Sequence, residues 1–112
     1  MAITADLDID QGSHFVATMD LQNDDETPMN LTGFQVYSQF RKSYMSTLGH
    51  NFTCEIVNAT AGKISLTLTG TYSSSIRAGR YLYDVEILSQ SGIKTRVVEG
   101  IVTINPEITK TP

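Results

Sequence analysis

The sequence has little cysteine, little proline, no tryptophan and no long apolar run, and each shortage excludes a class of protein. Cys54 is the single cysteine, which excludes an intrachain disulfide framework and a cysteine-built zinc or iron–sulfur site. The apolar runs are only two or three residues long, whereas a membrane-spanning helix needs about 20 apolar residues. With 40% hydrophobic and 18% charged residues, the chain nevertheless has the composition of a folded domain rather than of a disordered polymer.

Basic residues are missing from the first part of the chain. Residues 1–26 contain seven acidic side chains and no Lys or Arg, whereas residues 27–112 contain eight basic and five acidic ones. The leading segment therefore carries a charge of −7 and the remainder +3, a net charge of −4 that argues against binding to nucleic acid or to an anionic membrane. Two interpretations of the acidic segment stay open. The charges solvate exposed strands and turns, or they complement a neighbouring subunit.

Recognisable catalytic and metal-binding patterns are also missing. His14 and His50 are the only histidines, and neither has a second histidine at metal-ligand spacing. The chain has no G-x-S-x-G, H-E-x-x-H or phosphate-binding glycine motif. The carboxylates at 24–26 fall short of a calcium-binding loop pattern. We therefore expect a protein that is not an enzyme and that needs no metal or other cofactor.

One pair of carboxylates on a predicted strand has the spacing of a possible acid–base pair. Asp84 and Glu86 share one face of their strand, as the two carboxylates of a glycosidase could. Lys94 and Arg96 follow on the next predicted strand, where they are placed to pair with these carboxylates across a hairpin. A salt-bridged sheet surface is the favoured interpretation.

Alternation of apolar and polar residues runs through almost the whole chain and predicts β-strands. One serine-rich stretch near 71–76 allows at most one helical turn, with Thr71 or Ser73 as its cap. Glu99 and Gly100 interrupt the alternation of the last strand and predict a β-bulge. No helix is long enough to connect parallel strands, so we predict an all-β, antiparallel sandwich as residues 1–105, with a C-terminal extension at 106–112 that leaves the fold. The predicted strands lie at about 3–9, 14–22, 34–41, 51–57, 63–69, 80–88 and 93–104.

The second half of the chain contains an ordered set of short motifs: GKISLTLTGTYSSSIRAGRYLYDVEILSQSGIKTRVVEGIVTINPEIT. It resembles small Ig-like domains of tailed-phage virion proteins, similar to the N-terminal domain of upper baseplate proteins, in which "G-x-I-x-L-x-L" leads to "A-G-x-Y-x-Y-D-V-E" and "x-x-G-x-V-x-I". In the first half, Ile9 to Gly12 followed by Phe15, and TPMNLTGF at 27–34, look like that family's "x-x-G-x-x-F" and "P-x-D-L-T-G-Y". The resemblance covers about residues 5–105 and implies an Ig-like sandwich of about seven strands.

The resemblance implies a non-enzymatic virion structural protein that acts through protein–protein contacts. The longer baseplate proteins continue into a coil that this sequence does not have, so we expect an adaptor or accessory component of the tail, baseplate or neck. Two alternatives stay open. One is a capsid decoration protein, and the other is a small glycan-binding module that uses serines and threonines of 63–76 with Tyr37, Tyr44 and Tyr72.

Partners and location follow from the same interpretation. The first ten residues are acidic and alternating, unlike a secretory signal, so we expect assembly in the host cytoplasm, release by lysis and a final location in the virion. The expected partners are other virion proteins and copies of the chain itself, without nucleic acid or membrane. The candidate partner-binding residues are the acidic side chains of the leading segment and the start of the extension: Asp6, Asp8, Asp10, Asp24, Asp25, Glu26, Pro106, Glu107 and Ile108.

Overall fold

The structure, a computed structural model, describes residues 3–43 and 45–109. These residues form nine strands and one short helix. In chain order the elements are β1 (Ile3–Thr4), β2 (Leu7–Asp10), β3 (Phe15–Asp20), β4 (Gln35–Arg41), β5 (His50–Asn51), β6 (Thr53–Asn58), β7 (Lys63–Leu68), α1 (Gly70–Ser74), β8 (Gly79–Leu88) and β9 (Lys94–Asn105). No helix of the described residues is long and apolar enough to cross a membrane.

The strands form two sheets that pack face to face, which confirms the predicted all-β sandwich. The larger sheet has the order β1-β9-β8-β4-β5, and β2 also pairs with β9; the smaller sheet has the order β3-β7-β6. Alternate side chains of each strand point between the sheets, because successive residues of a strand face opposite sides. The buried apolar residues include Ile9, Phe40, Ile64, Leu66, Tyr81, Tyr83, Val85, Val98, Val102 and Ile104.

The predicted first strand is divided in the structure and runs parallel to its partner. β1 pairs with β9 at Val98 and Glu99, and β2 pairs with β9 from Val102 to Asn105, both in parallel. The other strand pairs are antiparallel, as predicted. The parallel pairing needs no crossover helix here because β2 passes through the 11–14 turn into the smaller sheet, and the chain reaches β9 only at its end.

The bulge of the last strand lies at Val97, so the prediction at Glu99 and Gly100 is wrong. Val85 is opposite Val98 while Glu86 is opposite Arg96, which leaves Val97 as the extra residue. Val97 and Val98 are both buried, and the bulge is what allows two consecutive side chains to reach apolar surroundings.

The predicted helical turn is present as α1, but its cap differs from the prediction. Thr69, rather than Thr71 or Ser73, is the N-cap, and its hydroxyl accepts a hydrogen bond from the Tyr72 N–H. Ser73 is fully buried instead. Its hydroxyl accepts from the Gly12 N–H at 2.9 Å and lies 3.2 Å from the carbonyl oxygens of Ser13 and Gly70. Ser73 therefore ties the helix to the turn between β2 and β3.

Replacing Ser73 with alanine is expected to lower the free energy of unfolding by about 1–3 kcal/mol, because the partly buried Gly12 N–H loses its partner and the fully buried site of Ser73 loses its hydroxyl. Urea unfolding followed by circular dichroism measures the change. Ser74→Ala is the matched control, since Ser74 is exposed and bonds only to Thr71 of its own helix, and its cost is expected to stay below about 0.5 kcal/mol. Equal losses in the two variants would contradict this role for Ser73.

Candidate functional site

The acidic strand β2 lies at the edge of the larger sheet. Asp6, Asp8 and Asp10 are all exposed. Asp6 accepts a hydrogen bond from the Ile101 N–H at 3.0 Å, and Asp10 accepts one from the Asn105 side-chain amide at 3.2 Å. Asp6 and Asp10 therefore help to attach the edge strand to β9 while keeping their charge in solvent.

The acidic loop at 24–26 is held by its own hydrogen bonds. Asp25 accepts from the Thr27 hydroxyl at 2.5 Å and from the Thr27 N–H at 3.1 Å. These two bonds, the hydroxyl first, lower the pKa of the Asp25 carboxyl, because they stabilise its ionised form. Glu26 has a left-handed backbone with φ 70°. The loop is thus a compact turn that presents three carboxylates to solvent.

The start of the C-terminal extension stays attached to the domain. The Glu107 N–H donates to the side chain of Gln11 at 3.1 Å, and Glu107 is half-buried. Pro106 is exposed, and Ile108 is 94% exposed. The extension therefore follows the end of β9 at Asn105 and is still in contact with the domain at Glu107; residues 110–112 of the predicted extension lie outside the described residues.

The candidate partner-binding residues do not form one patch. The acidic loop lies beside Ile3, since Asp24 and Ile3 line the same hollow with Thr95 and Val97. The extension instead lies at the Asp10 end of β2, where Gln11 holds it. Ile3 and Asp10 are seven residues apart along an extended edge, roughly 20 Å. The sequence grouped these residues by charge, whereas the fold places them at opposite ends of one side of the sandwich.

The outer face of the larger sheet holds the charge cluster predicted for the last hairpin. Arg96 lies 3.1 Å from an oxygen of Asp84 and 3.4 Å from an oxygen of Glu99, so the predicted pairing of Asp84 with Arg96 is confirmed. Glu86 is opposite Arg96 in register, while Lys94 is opposite Leu88. Arg96 and the three carboxylates, but not Lys94, line a shallow hollow of about 230 Å³. Because the Arg96 guanidinium lies next to the carboxylates of both Asp84 and Glu99, we interpret the hollow as a salt-bridged sheet surface.

An aromatic cluster closes one end of the sandwich. His50 of β5 stacks at 5.1 Å on Phe40, and its Nδ1 lies 3.2 Å from the hydroxyl of Tyr72. Burial lowers the pKa of His50, because partial desolvation disfavours the imidazolium. Within residues 3–43 and 45–109, no group of three His, Cys, Asp or Glu side chains could hold a metal ion. His50 is therefore part of an aromatic contact rather than of a ligand set.

The tyrosines proposed for glycan binding do not share a surface. Tyr37 is exposed on the outer face of β4 in the larger sheet, whereas Tyr72 belongs to α1 and contacts His50. The outward residues of β7 belong to the smaller sheet, and Ser65 among them is buried. Tyr44 lies outside the described residues. The structure thus divides the proposed face between two sheets.

Cys54 of β6 is expected to react slowly with thiol reagents. Burial raises the pKa of the thiol to about 11, so at pH 8 its thiolate fraction is roughly 200-fold below that of an ordinary cysteine. Ellman's reagent at pH 8 measures the rate, which is expected to rise to that of a free thiol once the chain is unfolded in urea. Equal rates for the folded and unfolded protein would contradict this assignment.

The comparisons with known proteins give a structural neighbour and no family. No protein-family model and no curated protein matches the chain. A search of solved structures finds similar chains, among them an internalin-like protein of Listeria monocytogenes, with 16% identity and a TM-score of 0.46. The match covers 93% of this chain and 28% of that one, so this chain spans less than a third of its neighbour. A likeness at this level carries no information about function.

The open edge of β3 is the feature that sequence reasoning missed. β3 pairs with β7 over its full length without a register shift, and it occupies the end position of the smaller sheet. Its alternation predicted a half-buried strand correctly, but alternation is the same in a central strand and in an edge strand. Pairing partners are distant in sequence, so no local signal distinguishes the two.

Proposed function

We propose that this chain is a non-enzymatic structural protein of a bacteriophage virion, acting by protein–protein contacts as an adaptor or accessory component of the tail, baseplate or neck. The observation that carries the proposal is the open strand edge of β3, which lies on the same side of the sandwich as the acidic strand β2. An unpaired edge offers backbone donors and acceptors to another chain. The virion setting comes from the sequence resemblance to small Ig-like phage domains.

The arrangement of charged groups supports contact with a partner better than it supports catalysis. The acidic side chains of β2 and of the 24–26 loop are exposed, and those of the outer sheet face share a guanidinium. Exposed charges steer and orient an association, while their contribution to affinity depends on the salt concentration. A basic surface on a neighbouring virion protein is the matching partner.

The location of the chain in purified phage particles tests the proposal. We expect mass spectrometry to find the chain at a fixed ratio to the other virion proteins, and cryo-electron microscopy to place it against the tail, baseplate or neck. If the density is instead spread over the capsid surface, the adaptor role is wrong and capsid decoration is the supported function. Absence from intact particles would overturn a virion function altogether.

A further inference from the structure

The backbone of β3 has hydrogen-bonding groups that no described residue uses. The Leu21 N–H, just after the strand, donates to the Gly62 carbonyl on the β7 side. Backbone groups alternate along a strand, so the N–H and C=O groups of Val16, Thr18 and Asp20 point to the open side. Among residues 3–43 and 45–109, none donates to or accepts from these six groups. They form a row of three donors and three acceptors between Val16 and Asp20.

The other sheet edges of the described chain carry features that oppose pairing. β5 is two residues long, and β6 has a register shift between Ile56 and Asn58. β2 is separated from β1 and carries outward carboxylates. Short strands, bulges and edge charges are the usual protections against edge pairing. β3 has no proline, lysine or bulge; its one edge charge is Asp20, which has Lys63 opposite in register, and the side chain of Val16 is 53% exposed.

The inward side chains of β3 are only partly buried, because no strand lies beside them at the open edge. Phe15, Ala17 and Met19 point toward the core but stay only half-buried. An added strand would place every second side chain beside these three residues on the inner face of the sheet, and the intervening ones beside Val16 and Thr18 on the outer face. The edge therefore suits a segment in which apolar residues alternate with residues that tolerate solvent.

Charge identifies the solvent-facing residues of that segment. β2 and β3 are edge strands on the same side of the sandwich, in sheets about 10 Å apart, and their outward side chains point to opposite outer faces, so the acidic side acts on a bound segment through its overall charge. Residues 3–40 contain no Lys or Arg. Lys63 lies beside Asp20 in register, whereas Asp8 and Asp10 have no basic neighbour on β9, where they face Thr103 and Asn105. A second copy would bring two such acidic sides together, while a basic segment would complement them.

We propose that β3 is the docking edge for an extended segment of another polypeptide in which lysines or arginines alternate with apolar residues, and which joins the smaller sheet as a fourth strand. The main-chain bonds to Val16, Thr18 and Asp20 hold the segment, and its cations lie beside these residues on the outer face of the smaller sheet, where the net negative charge of the leading segment attracts them from a distance. This inference rests on the proposed function and specifies the partner's chemistry and the strand that it uses.

A fluorescein-labelled octapeptide of alternating lysine and valine tests the docking edge. Fluorescence anisotropy is expected to show binding that weakens as salt is raised. Amide exchange followed by NMR is expected to slow at Val16, Thr18 and Asp20, and to stay as slow as before at Ala17 and Met19, which already pair with β7. A control peptide with the two central valines replaced by proline has the same charge but cannot form the ladder.

Variants of the protein separate the backbone contribution from the charge contribution. Thr18→Pro removes a donor that faces the open side, where a proline is tolerated, and is expected to weaken peptide binding at least tenfold. The double variant Asp8→Asn, Asp10→Asn leaves β3 untouched and is expected to weaken binding several-fold at low salt and to reduce its salt dependence, because these carboxylates attract the peptide from a distance rather than by contact. Glu55→Gln, which removes a carboxylate from the far edge strand β6, is the matched control and is expected to bind as the parent does.

Several results would overturn the docking edge. In the anisotropy experiment, these are a lack of binding by the alternating peptide and equal binding by the proline peptide. In the exchange experiment, it is slowed exchange on β4 or β6 instead of β3. In sedimentation experiments, it is a dimer of the chain whose formation protects the amides of β3. The test is independent of the particle experiment. If the chain is found in virions but β3 gains no protection from amide exchange with the peptide, only the docking edge is contradicted. If the chain is absent from virions but binds the peptide as described, only the virion function is contradicted.

Discussion

Replacing Phe40 with alanine is expected to lower the free energy of unfolding by about 3–5 kcal/mol. Phe40 is fully buried between the sheets. Its ring lies 4.9 Å from that of Phe52 and 5.4 Å edge-on from that of Tyr81. Removing it opens a cavity between the Tyr81 ring of the larger sheet and the Phe52 ring, which lies where the chain passes from β5 of the larger sheet to β6 of the smaller one, and a close-packed interior fills such a space only in part. Since domains of this size are stable by about 5–15 kcal/mol, the loss is a large part of the total.

Chemical denaturation of the Phe40→Ala variant measures this effect. Tyr37→Ala on the same strand is the matched control, because Tyr37 points outward, is 49% exposed, and its hydroxyl donates only to the nearby Gln35 side chain. Its cost is expected to stay below about 1 kcal/mol. Similar losses in the two variants would show that the rings between the sheets do not hold them together as described.

Replacing Gly100 with alanine is expected to destabilise the protein by at least about 2 kcal/mol and to detach β1 and β2 from β9. A Cβ atom at Gly100 would lie 2.2 Å from the Ala5 carbonyl oxygen and 3.0 Å from an oxygen of Asp6. The two chains would have to separate. That separation would break the bonds from the Ala5 N–H to the Glu99 carbonyl and from the Ile101 N–H to Asp6, each 3.0 Å long, and the bond that the Tyr83 hydroxyl donates to Ala5.

Amide exchange separates this local effect from general destabilisation. In Gly100→Ala, exchange is expected to accelerate most at Ala5 and Ile101, whose amides bond across the contact. Gly49→Ala is the control, since the atoms nearest to its Cβ would belong to the end of the flexible Arg41 side chain rather than to the backbone, and little change in stability is expected. Uniform acceleration over both sheets, without emphasis on β1 and β2, would contradict the steric explanation.

Local sequence rules predicted the strands well because side-chain alternation reports burial directly. The alternation within the predicted strand at 80–88 places Tyr81, Tyr83, Val85 and Ile87 on one face, and all four are buried. The position of the bulge could not be predicted in the same way. Gly100 interrupts the pattern because the backbone of Ala5 passes over it, which is a contact between residues that are distant in sequence.

The candidate site, too, was predictable from the sequence only in part. Charge counting identified the acidic leading segment, and the fold confirms that its carboxylates are exposed. It could not separate Asp10, beside the C-terminal extension, from the 24–26 loop at the other end of β9. That separation depends on the direction of β2 relative to β9, and the sequence pattern is the same for parallel and antiparallel pairing.

The sequence by itself determined that this protein is an all-β sandwich with an acidic leading segment and no cysteine framework, since composition and a period of two residues are local properties. The tertiary structure alone decided that β1 and β2 run parallel to β9, that Ser73 is buried against the turn before β3, and that β3 is an open edge. These features depend on which strands become neighbours. Neighbours are chosen by the packing of the whole core, and no single segment of the chain carries that information.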